Sequence, residues 1–306
     1  MIRILIISIL IWTSPGYTNE IYIGQVGTNV TVTITQDGQN NRISTKSTAA
    51  SPATLYGKNQ TINFTQTGNN NKIGLYKHYY GSDNQTSSTM TAVQTGDGNT
   101  MYLDNHGDNN NFDALQIHNN AIMDLEIDYD DNSVIAKQQC SATSCNQDHM
   151  ILNVYQGNNN NIKMGQGYKI DGNGNFSYDN LEIGGHSMDL RVTGDRNDIM
   201  LSQRSSNNTS GHDMDINVYS DDNDIHIIQE HNSGKELTLT LNNDDNNVDI
   251  DQKKNWQHTA NITLGGSYGT DFNLQQGSNQ STSAQSYTLN QNCQTVGGCA
   301  VSVTQY

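Results

Sequence analysis

A chain of 306 residues with 33% hydrophobic residues and a mean hydropathy of -0.70 is too polar to fill one thick core, yet too periodic to be disordered. A formal net charge of -16 and a pI near 4.6 exclude nucleic acid and an anionic membrane as partners, since no basic stripe exists to meet phosphates. Two prolines in the whole chain, and no apolar run at helical spacing beyond the first residues, point to an all-β chain with a thin, repeated core.

Residues 1–18 read as an export signal. Arg3 gives a basic start, Ile4 to Trp12 is apolar apart from Ser8, and Ser14, Pro15, Gly16 and Thr18 are small or turn-forming. The run is too short for a membrane span, which needs about 20 residues. Cleavage is expected between Gly16 and Asn19, leaving 19–306 as one repeat domain, secreted or held at the cell surface. No later segment is a candidate span.

The next stretch carries one spacing three times: Ile34-x-Gln36-x-Gly38-x-x-Asn41-x-Ile43, Phe64-x-Gln66-x-Gly68-x-x-Asn71-x-Ile73 and Leu103-x-Asn105-x-Gly107-x-x-Asn110-x-Phe112. From there a shorter phrase, Asn-x-apolar-x-x-x-Gln, returns at Asn110 and Gln116, Asn132 and Gln138, Asn160 and Gln166, Asn197 and Gln203, Asn223 and Gln229, and Asn246 and Gln252. From the second copy on, a stretch with alternate apolar residues precedes each, such as Met188, Leu190 and Val192 before Asn197, which is the period-two signature of a half-buried strand. Asp, Asn and Gly fill the connections, as in Gly194-Asp195-Arg196-Asn197, because they tolerate positive φ and hydrogen-bond their own backbone. Each unit is therefore strand, tight turn, strand. Length variation falls in the linkers, at Ser205 to Ser210, Glu230 to Gly234 and Cys140 to Cys145. A unit copied in this way must stack on its neighbours to bury its apolar face, which predicts a β-solenoid.

The pattern Gln-x-Gly-x-x-Asn-x-apolar-x-x-x-Gln resembles the curlin repeat of bacterial curli subunits, and the closing Val303-Thr304-Gln305-Tyr306 resembles the way such subunits end. The resemblance runs over residues 20–306 and is strongest over 30–115. It implies an exported subunit whose strand-turn-strand units stack into a β-solenoid, with motif Gln and Asn in inward ladders, able to assemble into amyloid-like surface fibres. The chain departs from the family in its unevenly spaced strand starts and in turns that lack the Gln-x-Gly portion. Inward amides make physical sense in such a stack: strands repeat about every 4.8 Å, so identical amides one rung apart bond along the stack, whereas a lone buried amide is costly. About ten rungs at that spacing would make a rod roughly 50 Å tall.

Other residue clusters are weaker signals. Cys140 and Cys145, and Cys293 and Cys299, each bracket a short loop; four cysteines allow three pairings, of which the local pairs are simplest. Asp171, Asn173, Asn175, Asp179 and Glu182 match positions of a calcium loop, but Phe176 stands where the sharp turn needs Gly. No other cofactor is expected. His226, Glu230 and His231 match no metalloprotease spacing, and the nine histidines read as solvated surface. Asp124, Asp189 and Asp215 follow Met in equivalent strands and so fall in one exposed column, where two acids could cut a polysaccharide; a solubilising role is the simpler account. Catalysis is not expected.

The sequence thus points to a structural protein that stacks with itself into adhesive surface or matrix fibres. The other reading is a soluble solenoid that binds surface glycans or a host surface, as a fibre tip or phage-type appendage. That reading wants several exposed rings on one face, and Tyr79, Tyr129, Tyr155 and Tyr219 form no evident column in the sequence.

Overall fold

The structure, a computed structural model, describes residues 7–10, 19–43, 54–74, 87–139, 149–204, 212–253, 258–277 and 285–305, apart from positions 20, 22–23, 27–28, 57–58, 107, 118, 129, 156–158, 169, 172, 178–185, 194–195, 220–221, 231–233, 243–245, 266–269, 292–293 and 295–298 inside those ranges. Among them the only regular element is the β-strand.

In chain order the first strands are β1 (Ile7–Leu10), β2 (Gly24–Val26), β3 (Asn29–Thr35), β4 (Thr54–Tyr56) and β5 (Asn59–Ile62). The rest come as pairs, one pair to a coil. They are β6 (Tyr102–His106) with β7 (Asn111–Gln116), β8 (Ile122–Asp128) with β9 (Ser133–Gln138), β10 (His149–Tyr155) with β11 (Asn161–Gln166), and β12 (His186–Thr193) with β13 (Asp198–Arg204). Then follow β14 (His212–Tyr219) with β15 (Asp224–Glu230), β16 (Lys235–Leu241) with β17 (Asn247–Lys253), β18 (His258–Leu264) with β19 (Asp271–Gln276), and β20 (Gln285–Gln291) with β21 (Ala300–Gln305). The first member of every pair lies in one 8-stranded sheet and the second in another 8-stranded sheet, and all pairings are parallel. This is a parallel β-solenoid: each coil lays one strand on each sheet and returns in the starting direction, which is how parallel neighbours become sequential.

Alternation builds the core. Met214, Ile216 and Val218 of β14 point inward and are fully buried, while Asp213, Asp215 and Tyr219 point out. The register then puts like on like, with Met188 beside Met214, Leu190 beside Ile216 and Val192 beside Val218. On the other sheet Ile162, Ile199, Ile225 and Val248 form one inward column, and Met164, Leu201, Ile227 and Ile250 the next. Both columns are buried. At about 25 cal/mol per Å² of apolar surface removed from water, such columns are the main driving force of the stack.

The stack continues towards the N-terminus without long strands. The Gln60 amide donates to the Ser87 carbonyl at 2.7 Å, and the Met90 amide to the Asn111 carbonyl at 2.9 Å, so residues 87–94 form the level between β5 and β7. Beyond β3 lies β1, whose Ile7 and Ile9 register with Val32 and Ile34. The expected cleavage region of the export signal lies outside the described residues. No described helix is long and apolar enough to cross a membrane.

Candidate functional site

The distinctive chemistry of this chain is inside it. The last inward place of the second sheet is glutamine at every level: Gln36, Gln66, Gln94, Gln116, Gln138, Gln166, Gln203, Gln229, Gln252 and Gln276 are fully buried, and Gln305 completes the column. From Gln166 to Gln276 each amide does two things. Its Nε2 donates to the Oε1 one level away, as in Gln203 to Gln166 at 2.9 Å, Gln229 to Gln203 at 3.0 Å and Gln252 to Gln229 at 2.7 Å. The same Nε2 donates to a backbone carbonyl of the next strand, for example Gln203 to Asp213 at 2.8 Å and Gln229 to Glu236 at 3.1 Å. The first bond ties level to level; the second closes the corner between sheets.

Direction reverses once. Gln36, Gln66 and Gln94 donate towards the C-terminus, whereas Gln166 and every later glutamine donate towards the N-terminus. Gln116 and Gln138 therefore meet as two acceptors of their outer neighbours, each donating to the backbone, at the Ile122 and His149 carbonyls.

Asparagine lines the other two corners. Asn41, Asn71 and Asn99 form one ladder, with 2.7 Å from Asn71 to Asn41 and 2.8 Å from Asn99 to Asn71. Each also closes its own turn by donating to the carbonyl three residues back, at Gly38, Gly68 and Gly96. Gly38 sits at φ +75°, a conformation that glycine adopts without strain. Asn110, Asn132, Asn160, Asn197, Asn223 and Asn246 form a second ladder, with 2.8 Å from Asn132 to Asn160 and 2.7 Å from Asn197 to Asn223. It stops at buried Thr270, which pairs with the place held by Cys299 on the last level.

Every motif Gln and Asn expected inside lies in these columns. The sequence reading missed Gln94, Gln276 and Gln305, and Asn99. Gln94-x-Gly96-x-x-Asn99 carries the N-terminal spacing intact, and Gln276 and Gln305 keep the six-residue distance although Thr270 and Cys299 replace the Asn. Asn105 falls at the end of β6, in register with Ile127 on the opposite sheet from the glutamine column.

The corner that begins with Asn41, Asn71 and Asn99 changes chemistry further along. His186, His212, Lys235 and His258 hold the equivalent place in β12, β14, β16 and β18, and all are buried. This corrects the assignment of all histidines to the surface. These side chains stand two residues before the inward Met188, Met214, Leu237 and Ala260, and period two carries them inward with those residues. Burial, and then the Lys235 charge, push the His258 imidazole down to about 4. Burial also pushes the Lys235 amine down to about 7, against an opposing pull from Glu230. Glu230, read above as part of an unmatched metalloprotease-like string, is buried beside Arg204 at 3.6 Å. His149 and His226 do sit outside, 3.6 Å from Asp189 and 3.3 Å from Asp249.

Outside, carboxylates are spaced by amides and cations. The Asp131 carboxylate accepts from Asn109 at 2.7 Å and from Asn159 at 3.0 Å, on the levels either side of it. Asp198 accepts from Asn161 at 2.9 Å, and Asp224 from Asn247 at 3.1 Å. Asp189 and Asp215 are neighbours in one outward column, but Ile151 separates Asp124 from them. Burial and the nearby Asp215 raise the Asp189 carboxyl; burial, Glu236 and the two neighbouring aspartates raise Asp213. A hydrogen bond to Asp108 raises Asp130, which lines an open turn cavity of about 220 Å³ with Asp108, Asn109, Asp131 and Asn159.

The calcium-loop candidate is only partly described. The Asp171 carboxylate accepts the Asn173 amide at 3.1 Å in a local turn, while Asp179 and Glu182 lie outside the described residues. No group of three or more metal-ligating side chains occurs among the described residues. Just before it, Tyr168 and Ile170 are buried. Gly167, at φ +64°, passes so close to the Arg204 carbonyl that an added Cβ would stand 2.1 Å from it. Cys299 is disulfide-bonded. Cys140, Cys145 and Cys293 lie outside the described residues. Tyr79 and Tyr129 do too, but Tyr155 and Tyr219 come to equivalent places two strands apart, with the Arg191 guanidinium 5.8 Å and 5.5 Å from their rings. That grouping was not visible in the sequence.

Fold and interior together define the class: a parallel β-solenoid of arched repeats with stacked asparagine and glutamine ladders. No protein-family model, no curated protein and no solved structure matches the chain.

Proposed function

We propose that this chain is an exported structural subunit that stacks with itself into curlin-like, amyloid-type surface or matrix fibres and serves adhesion. The observation that carries this reading is the glutamine ladder, continuous in place from Gln36 to Gln305 and register-matched at its last step, where Gln276 and Gln305 are partners. A second copy can add a level through the same contacts that join levels within the chain. On the last described level the inward row is open: Val301 is 41% exposed and Val303 36%, whereas Phe272 and Leu274, one level below, are buried. An open strand row is a template for pairing. The spacing Gln-x-Gly-x-x-Asn, present at 36–41, 66–71 and 94–99, supports the curlin-like assignment.

The test follows thioflavin binding and sedimentation of the exported chain, with and without preformed seeds. Seeded growth that accelerates with salt is expected, because -16 of charge must be screened before copies approach. Val301→Lys with Val303→Lys should slow it. Monomer persisting at high concentration would defeat the fibre reading. A glycan-binding solenoid would then lead, with the Tyr155, Arg191 and Tyr219 face as its surface and a glycan array as its assay.

A further inference from the structure

One coil of the solenoid carries more chain than its corner needs. Successive asparagines of the second ladder are 22 to 28 residues apart except from Asn160 to Asn197, where the distance is 37. The surplus leaves β11 at Gly167 and turns back over the outward face of the second sheet. A Cβ on the outward Gly165 would meet the Cδ1 atoms of Tyr168 and Ile170, both at 3.7 Å. A Cβ on Gly174 would meet Met200 Sδ at 2.7 Å and Lys163 Cδ at 3.8 Å. The Tyr168 and Phe176 rings stack at 6.2 Å, 11° from parallel, and Lys137 Nζ lies 4.5 Å from the Phe176 ring centroid. Residues 167–176 thus form a strap across β11 that reaches Lys137 of β9 on one side and Met200 of β13 on the other.

The face beneath the strap differs from the rest of the sheet. β17 turns Asn247, Asp249 and Asp251 outward, and β19 Asp271, Asn273 and Gln275, all polar. Further towards the N-terminus the outward places include Ile135, Gly165, Met200 and Ile228, and they lie together. Ile135 and Met200 flank Lys163 in one column, while Gly165, Ser202 and Ile228 succeed one another in the next. Alternation points that second column outward, yet all three of its members are buried. A flat, apolar stretch of parallel sheet packs well on another such sheet about 10 Å away, which is how sheets join side by side in fibrils.

We propose that residues 167–176 guard the side of the solenoid: they keep the outward face of β9 to β15 from pairing with the same face of a second copy, and so leave the open end as the place where copies meet. The self-stacking reading gives this guard its purpose, but the covered face is testable apart from it. Gly167 starts the strap, at φ +64° and against the Arg204 carbonyl, where a side chain has no room.

The experiment is sedimentation velocity over a concentration series in about 0.15 M NaCl, with Val301→Lys and Val303→Lys in every chain to suppress growth at the end. In the strapless chain, Tyr168 to Phe176 is replaced by an equal length of Gly and Ser. The strapped chain should remain one slow species, and the strapless chain should associate reversibly in the micromolar range. Adding Ile135→Glu with Met200→Glu to the strapless chain should weaken that association about tenfold or more, because carboxylates would then stand in the middle of the interface. Should the strapless chain fail to fold by circular dichroism, Tyr168→Ser with Phe176→Ser, which removes the ring pair, takes its place. A released chain that stays monomeric at the highest concentration, equal association with and without the strap, or association undiminished by Ile135→Glu with Met200→Glu would overturn the guard. Failure of the fibre reading shows elsewhere, in a wild-type chain that does not grow from seeds, and leaves this comparison intact.

Discussion

Gln203 shows what one inward amide does in this interior. It donates to Gln166 and to the Asp213 carbonyl, and accepts from Gln229. Gln203→Leu would keep much of the volume but orphan the Gln166 oxygen, the Asp213 carbonyl and a Gln229 donor, where each buried unsatisfied group costs about 1 to 3 kcal/mol. A loss of about 3 kcal/mol in unfolding free energy, read by urea unfolding, is expected, against less than about 0.5 kcal/mol for the outward Asn261→Thr. The buried bases set a second prediction, in pH. His258 falls from 6.5 to about 4 on folding, so the unfolded chain takes the proton first. Stability held above pH 6.5 is lost as pH falls towards 4, by about 3 kcal/mol for this group. Lys235 moves from 10.5 to about 7, so its penalty is full below pH 7 and fades as pH climbs to 10.5. Lys235→Met should raise the melting temperature at neutral pH and flatten the rise in stability on the alkaline side.

At the scale of the strand, the outward face is where charge must be managed. Column neighbours on parallel strands lie about 4.8 Å apart, and like charges there repel. Several carboxylates in the two sheets alternate with neutral side chains along the stack, but Asp104 beside Glu126, Asp189 beside Asp215, Asp198 beside Asp224 and Asp213 beside Glu236 do not, and in the last three pairs the neighbour raises the carboxyl pKa of Asp189, Asp198 and Asp213. Ile151→Asp would join Asp124, Asp189 and Asp215 into an unbroken acidic column. It should destabilise by about 1 kcal/mol at low ionic strength and recover most of that in about 0.5 M salt, measured by thermal unfolding. Turn closure is the other duty of an element. Gly38→Ala places a Cβ at φ +75° and should cost about 1 kcal/mol although no atom lies within 4 Å of the added carbon.

Over the whole molecule, the glutamine clamps explain how uneven repeats make an even stack. The bond from Gln to the next strand's carbonyl spans 6 residues at Gln116, 11 at Gln138, 21 at Gln166, 10 at Gln203 and 7 at Gln229, with the same geometry each time. Successive asparagines in the second ladder are likewise 22, 28, 37, 26 and 23 residues apart. Linker length is thus decoupled from corner geometry. Doubling the 205–211 linker with Gly and Ser should cost only about 0.6 kcal/mol, far less than Gln203→Leu, when both variants are unfolded in urea. A cost of several kcal/mol would mean that the linker itself holds the corner.

The repeat, its strand-turn-strand form and the inward Asn and Gln of most levels were legible along the chain, because period-two alternation and a fixed spacing from Asn to Gln are local properties of a strand. Gln94 escaped notice although its motif was intact, and Gln276 and Gln305 because Thr270 and Cys299 had replaced the Asn that announced the other copies. The buried bases were hidden for a different reason. His186, His212, Lys235 and His258 begin their strands at the edge of polar linkers, where composition says surface. Only the stacking of parallel strands brings four such edges to one corner and closes it against Arg204 and Glu230, the first 18 residues beyond His186 and the second 18 beyond His212, so burial there is decided by the stack and not by the residue's own surroundings in the chain.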